Sequence, residues 1–244
     1  MKQESGKKKF VFRSFVNSFH YLYGDAEYFH QLAREMEGRF EQYRLCRTAV
    51  LLYVLSLEGL INRAMDQFLP ERLRDFFLDR EEKFSLEDKW LLLPLLVSDG
   101  ENVQSDRSRY PWSHFAELVR LRNDFVHPKH DRPAYYRAIT ALQWEPLPWR
   151  DMPKDLGVKE TEVVYRQTHI PKDPYAVRPR HVDIAKKVVD DTVAELDRLL
   201  GGKLTKDNWH RVDQMTLIYP PGATLNDLPP SPRPQTLGEG KKAP

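Results

Sequence analysis

LVRLRNDFVHPKH, residues Leu118 to His130, is the stretch from which the fold is read. On a wheel of roughly 100° per residue with Phe115 at zero, Leu118, Val119, Phe125 and Val126 gather on one side, the mark of an amphipathic helix. Arg122 falls in the middle of that apolar stripe. Asn123 and His127, four apart, share its edge, while Glu117, Arg120 and Asp124 face away. A guanidinium on a core-facing line is costly unless it is paired and hydrogen-bonded. Pro128 disfavours helix for the residue before it, so the helix is expected to end at His127. An arginine, an amide and an imidazole thus meet at the rim of a core.

Upstream, residues 47–68 include TAVLLYVLSL, apolar on all sides, which predicts a helix buried in the centre of a bundle. Glu58 interrupts it and lies on the wheel with Leu51, Val54, Ile61 and Met65; Asn62 follows one turn on. A carboxylate and a guanidinium on core-facing lines of one small bundle suggest each other as partners, since charged residues are seldom fully buried unpaired. A Glu58–Arg122 pair is therefore expected; the alternative is that each is half exposed and bonded to backbone or water.

The rest of the chain divides around these helices. Residues 1–22 are basic and aromatic and read either as an arm docked by Phe10, Phe12 and Phe15 or as a loosely held terminus. Asp25 is a candidate N-cap for a helix from Ala26, with Phe29, Leu32, Met36, Phe40 and Tyr43 at helical spacing. Pro70 opens a short helix, ERLRDFFL. Ser85, with Asp88 three residues on, caps another that Pro94 kinks or ends. SDGEN is a turn, and Ser113 is the expected N-cap of the motif helix. Residues 128–180 are rich in proline and aromatics (Tyr135, Tyr136, Trp144, Trp149, Tyr165, Tyr175), and the alternation in ETEVVYRQTHI predicts a strand within a small hairpin. This insertion is either a cover over the motif, with aromatics to stack bases, or a packing or dimerisation element. A last helix carries Val182, Ala185, Val188, Val189, Leu196, Leu199 and Leu200 and stops at Gly201 and Gly202. Residues 203–244 read as a proline-rich tail without a core of its own, extended on the surface or mobile.

Composition bounds the function. Across 244 residues, 41% apolar and 30% charged content fits a soluble globular protein. A net charge of +2 gives no polybasic footprint, although a ribonuclease needs only a local basic pocket. Cys46, the only cysteine, excludes an intrachain disulfide, fits a reducing cytoplasm and reads as a small core residue. KKKFVFRSFV lacks the apolar stretch of a signal peptide, and the apolar run from Ala49 to Leu57 is too short for a bilayer, so no membrane role is expected. Scattered histidines, no HExxH, no Walker loop and no GxGxxG give no cofactor and no metal reading.

The spacing Arg-Asn-x-x-x-His in RNDFVH resembles the HEPN superfamily of helical domains, many of them metal-independent ribonucleases and others binding or scaffolding modules. LSLEGLINRAMDQFL looks like the second long helix of such domains, with Glu58 as its acidic residue, and SLEDKWLLLPLL like the short helix before the motif helix. The likeness spans about residues 23–130 plus a helix near 181–200. Bare spacing alone does not single out the motif, because Arg109 and His114 repeat it. Asn123, the late helix position and a carboxylate partner do. Lys129 stands where some toxin members carry tyrosine.

The resemblance implies an all-α HEPN-like helical bundle over residues 23–202. It implies an endoribonuclease acting as a bacterial toxin or phage-defence effector, with RNA as substrate, a homodimer that brings two motifs together, and an antitoxin or partner subunit; the alternative is a non-catalytic scaffold. Histidine suits proton transfer near neutral pH and a guanidinium suits a phosphate. His127 is thus the candidate acid or base, Arg122 the phosphate contact and Asn123 the residue that orients the ring or binds phosphate, with Glu58 in support. A helix C-terminus favours protonated imidazole. Lys129 and His130 are candidate substrate contacts or exposed loop residues.

Overall fold

Thirty residues, Arg39–Phe68, form one helix, α2, against which the other long helices pack. The computed structural model describes residues 11–37, 39–78, 84–97, 106–127, 133–207 and 214–219 and is mostly helical. The apolar stretch of α2 supplies the centre of the core: Val50, Tyr53, Val54, Leu57, Leu60 and Ile61 are all fully buried. By length and composition Phe40–Phe68 could cross a membrane, which the shorter apolar run did not suggest. Its most apolar window has a mean hydropathy of 1.4, and half of that window is buried against neighbouring helices.

The first long helix, α1 (Ser18–Glu35), starts seven residues before Asp25, which lies exposed within it. Asn17 is the cap: its side-chain oxygen accepts the His20 N–H at 3.3 Å. The expected single stripe through Met36 and Phe40 breaks because α1 ends at Glu35 and α2 begins at Arg39, leaving Met36 and Phe40 exposed. The buried line of α1 instead runs through Phe19, Ala26, His30 and Ala33. The start of α1 lies close against α2 at Gly59, where an added Cβ would stand 2.8 Å from Ser18 Cβ and 3.1 Å from the Phe19 amide nitrogen.

Pro70 precedes α3 (Glu71–Leu78), as expected. In front of α4 (Leu86–Val97) the Ser85 hydroxyl accepts the Asp88 N–H at 3.1 Å and the Asp88 carboxylate accepts the Ser85 N–H at 3.3 Å, a reciprocal cap. Pro94 does not end this helix. Only the bond to the Trp90 carbonyl is lost, and the helix runs on to Val97. SDGEN lies outside the described residues. The motif helix, α5 (Trp112–Val126), is entered at Pro111, whose fixed φ suits a helix start; Ser113 sits inside the first turn and is not the cap.

The described part of the insertion holds a short hairpin, β2 (Tyr136–Ala138) against β3 (Trp144–Pro146), upstream of the strand expected at 160–170. That stretch is a one-turn helix, α6 (Glu160–Val163), followed by a turn in which Tyr165 N–H bonds the Ile170 carbonyl and His169 takes φ +53°. The apolar residues at Val164, Tyr165 and Ile170 are buried by this turn, not by a pleated face.

The closing helix, α7 (Pro179–Leu199), buries Val182, Ala185, Val188, Val189 and Leu196. Gly201 and Gly202 stop it with φ of +66° and +78°, and the Gly202 N–H bonds the Asp197 carbonyl at 2.8 Å. Asp190 ties α7 to α1 by accepting the Tyr23 hydroxyl at 2.5 Å, and it also accepts Lys186 Nζ of its own helix at 2.9 Å. A short α8 (Lys203–Asp207) follows. The expected arm and tail each contain a strand: β1 (Val11–Phe15) and β4 (Gln214–Tyr219) pair antiparallel, with Phe15 opposite Gln214 and a register shift between Val11 and Phe12. This ribbon is a compact unit separate from residues 17–212. The tail is thus strand-forming over 214–219, where the sequence suggested only extended or mobile chain.

Candidate functional site

The buried residues of α5 fix its rotation. Trp112, Phe115, Leu118 and Leu121 face the core, and Phe115 packs its ring 5.5 Å from that of Trp90 on α4. The same rotation points Arg122 at α2. Its Nη2 lies 3.0 Å from Glu58 Oε2, so the pair expected from the two wheels is formed. The pair is not deeply buried: the Arg122 side chain is 18% exposed and that of Glu58 40%. Arg122 Nε is buried with no acceptor among the described residues, so the guanidinium is held more by its surroundings than by a second carboxylate. One turn beyond Glu58, Asn62 accepts a 2.8 Å hydrogen bond from buried Lys89 of α4, extending the polar seam across three helices.

Asn123 and His127 are exposed at the opposite edge. α5 ends at Val126. His127 leaves helical geometry at φ −126°, ψ 68°, and its N–H still bonds the Asn123 carbonyl at 2.8 Å. The helix thus stops where Pro128 requires. Among the described residues neither the Asn123 amide nor the His127 ring makes a side-chain hydrogen bond, so both are available to a ligand. Val126 is 48% exposed and leaves the apolar stripe to which the wheel assigned it, because the last turn projects beyond the core. Arg122 and His127, five residues apart, project about 140° from each other on an ideal wheel. Lys129 and His130 lie outside the described residues.

Glu117 does not face solvent. It is 8% exposed, and one carboxylate oxygen accepts the Gln167 N–H at 2.8 Å, the Thr168 N–H at 2.9 Å and the Thr168 hydroxyl at 3.3 Å. Two turns later on the same face, Asp124 accepts the Tyr165 hydroxyl at 2.5 Å. The outward face of α5 is therefore a docking strip for the insertion. Sequence reasoning missed this because the anchors are backbone amides some fifty residues downstream, which carry no residue signature. Between α5 and residues 161–172 runs a groove of about 550 Å³, with Arg107, Arg120, Arg166 and Lys172 along it.

The remaining candidates sit elsewhere. His114 is half-buried in the first turn of α5 with its ring 4.9 Å from that of Tyr110, and burial lowers its pKa. Cys46 is fully buried and its thiol is pushed up to about 12 by desolvation, which fits packing and not nucleophilic attack. Among the described residues no three His, Cys, Asp or Glu side chains gather as a metal site. No family model, no curated protein and no solved structure matches the chain.

Proposed function

We propose that the chain is a metal-independent endoribonuclease of the HEPN type, acting in the cytoplasm as a homodimeric toxin or defence effector. The observation that carries the reading is the last turn of α5. Glu58 and Arg122 hold its inner side at 3.0 Å, while Asn123 and His127 stand exposed and uncommitted at its outer end. Cleavage needs one base to take the ribose 2′-hydroxyl proton and one acid to protonate the departing 5′-oxygen. The 2′-oxygen–phosphorus bond forms as the phosphorus–5′-oxygen bond breaks, leaving a 2′,3′-cyclic phosphate. Imidazole suits either transfer. Asn123, one turn from His127, can donate its amide to a phosphate oxygen or to the ring. Arg122 neutralises Glu58 and offers its exposed edge to the phosphate charge. One imidazole per chain serves one transfer, and a second chain supplies the other.

The test is RNA cleavage by the purified protein in excess EDTA. Wild type is expected to leave 2′,3′-cyclic ends, and His127→Ala to fall by about two to four orders of magnitude while keeping its fold. Cleavage by His127→Ala at the wild-type rate would overturn the assignment. A second reading, a non-catalytic scaffold, is favoured by one observation: Arg122 already spends Nη2 on Glu58 and is only 18% exposed. In that case wild type cleaves nothing and Arg122→Ala acts on stability alone.

A further inference from the structure

We propose that the groove between α5 and residues 161–172 binds the sugar–phosphate backbone of single-stranded RNA and leads it to His127. The proposal rests on the ribonuclease reading only for which polyanion fills the groove. Three observations carry it. The first is charge. The whole chain is near neutral at +2, yet Arg107, Arg120, Arg166 and Lys172 line this one groove. None of the four forms an ion pair among the described residues, and the three arginines are exposed. The two carboxylates of the groove are occupied from within the protein, Glu117 by the 167–168 backbone and Asp124 by Tyr165. These donors are neutral and leave both carboxylates charged, and Lys172 also donates to the Thr161 carbonyl, so the groove carries four positive charges against two negative ones; the net positive field, presented to solvent by the three exposed arginines, is the electrostatic footprint of a phosphate track.

The second observation is direction. The lining residues of α5 are Ser113, Ala116, Glu117, Arg120 and Asp124, a single face of the helix. Continued along that face, the line returns at position 127: Arg120 and His127, seven residues apart, differ by about 20° on the wheel and roughly 10 Å along the axis. A strand lying in the groove reaches the exposed imidazole without crossing the helix. The third is the character of the walls. Ala116 and Val164 are the only aliphatic residues among them, so an acidic peptide finds no pockets for side chains, whereas the hydroxyl and amide groups of Ser113, Thr161 and Gln167 suit phosphate and ribose oxygens. Half of this site comes from the insertion, which gives that segment a role as one wall of a substrate track.

The experiment is fluorescence anisotropy with a labelled 20-nucleotide 2′-O-methyl RNA, which cannot undergo 2′-hydroxyl attack, so binding is read whether or not the protein cleaves. Arg120→Ala/Arg166→Ala removes two exposed cations without touching the core. It is expected to weaken binding by about tenfold or more and to reduce the log–log salt slope by about 1.4, at about 0.7 per lost phosphate contact on a single strand. Arg44→Ala/Arg150→Ala, which removes the same charge at exposed positions outside the groove, should stay within about twofold of wild type. Binding by Arg120→Ala/Arg166→Ala equal to wild type, equal losses in the control pair, or no wild-type binding at about 100 μM protein would each overturn the proposal. Absence of cleavage with groove-dependent binding intact would count against the ribonuclease reading alone.

Discussion

Replacing Glu117 by alanine should undock the insertion from the motif helix. The side chain is 8% exposed and its carboxylate receives three donors from Gln167 and Thr168. In Glu117→Ala the Gln167 amide, on an exposed residue, can turn to water, but Thr168 is 2% exposed and its N–H is stranded. A buried unsatisfied donor costs about 1–3 kcal/mol, and hydrogen bonds to a charged acceptor contribute about 1.5–3 kcal/mol each. Relief of the carboxylate's own desolvation offsets part of the sum. The net expectation is a loss of about 3 kcal/mol, or a fall in Tm of roughly 6–12 °C for a chain of this size. Glu117→Gln keeps an acceptor oxygen in place and should lose only about 1 kcal/mol. Urea unfolding gives the energies. Limited trypsin digestion read by mass spectrometry gives the place, since an undocked turn exposes the bond after Arg166. If Glu117→Ala unfolds within about 0.5 kcal/mol of wild type and shows no new cut at Arg166, the three hydrogen bonds do not hold the insertion and the reasoning fails.

Gly59→Ala should destabilise the fold although alanine is the better helix former by about 1 kcal/mol. The new Cβ would meet Ser18 Cβ at 2.8 Å and the Phe19 amide nitrogen at 3.1 Å, and overpacking of this kind costs about 1–3 kcal/mol, so a lowered Tm is the expected result. His181, 5% exposed and lowered to about 3 first by burial and then by Arg180 and Arg178, stays neutral in the fold while the unfolded chain takes up a proton below about pH 6.5. Its contribution is intact above pH 6.5 and is lost as pH falls toward 3. Between pH 6.5 and 5 the loss is about 2 kcal/mol, and urea midpoints of His181→Asn should show a correspondingly shallower pH dependence. A double-mutant cycle on Glu58→Gln and Arg122→Gln should give a coupling of about 1 kcal/mol, because both partners keep solvent contact at 40% and 18%; a coupling near zero would remove the pair as the anchor of the motif turn. Since one cleavage uses the imidazoles of both chains, mixed dimers of wild type with His127→Ala should cleave no faster than the His127→Ala homodimer, whereas a site complete within one chain predicts about half of the wild-type rate.

What the sequence exposes and what it hides follow from where each interaction's partner lies. The stripes of α5 and α7, the all-round apolar run of α2 and the Ser85–Asp88 cap repeat at helical spacing or close over three residues, so residue identity alone places them. The Glu58–Arg122 contact spans 64 residues and was still legible, because each charge sat on an otherwise apolar line and needed a partner. The failures share the opposite property. The 36–38 break between α1 and α2 is marked only by Gly38, and the apolar line through Met36 and Phe40 continued smoothly across it. Alternation in 160–170 suggests a strand, but the buried positions are Val164, Tyr165, Thr168 and Ile170, two of them adjacent, because a one-turn helix and a tight turn bury residues without the period of two of a pleat. Glu117 read as a solvated charge because its partners are amides that any residue could supply. The outward face of α5 therefore has no meaning until the insertion is laid along it, and the same contact that hides Glu117 brings Arg166 and Lys172 opposite Arg120. A motif can be read from one helix, but a track for substrate needs two walls, and here the second wall is held by backbone amides.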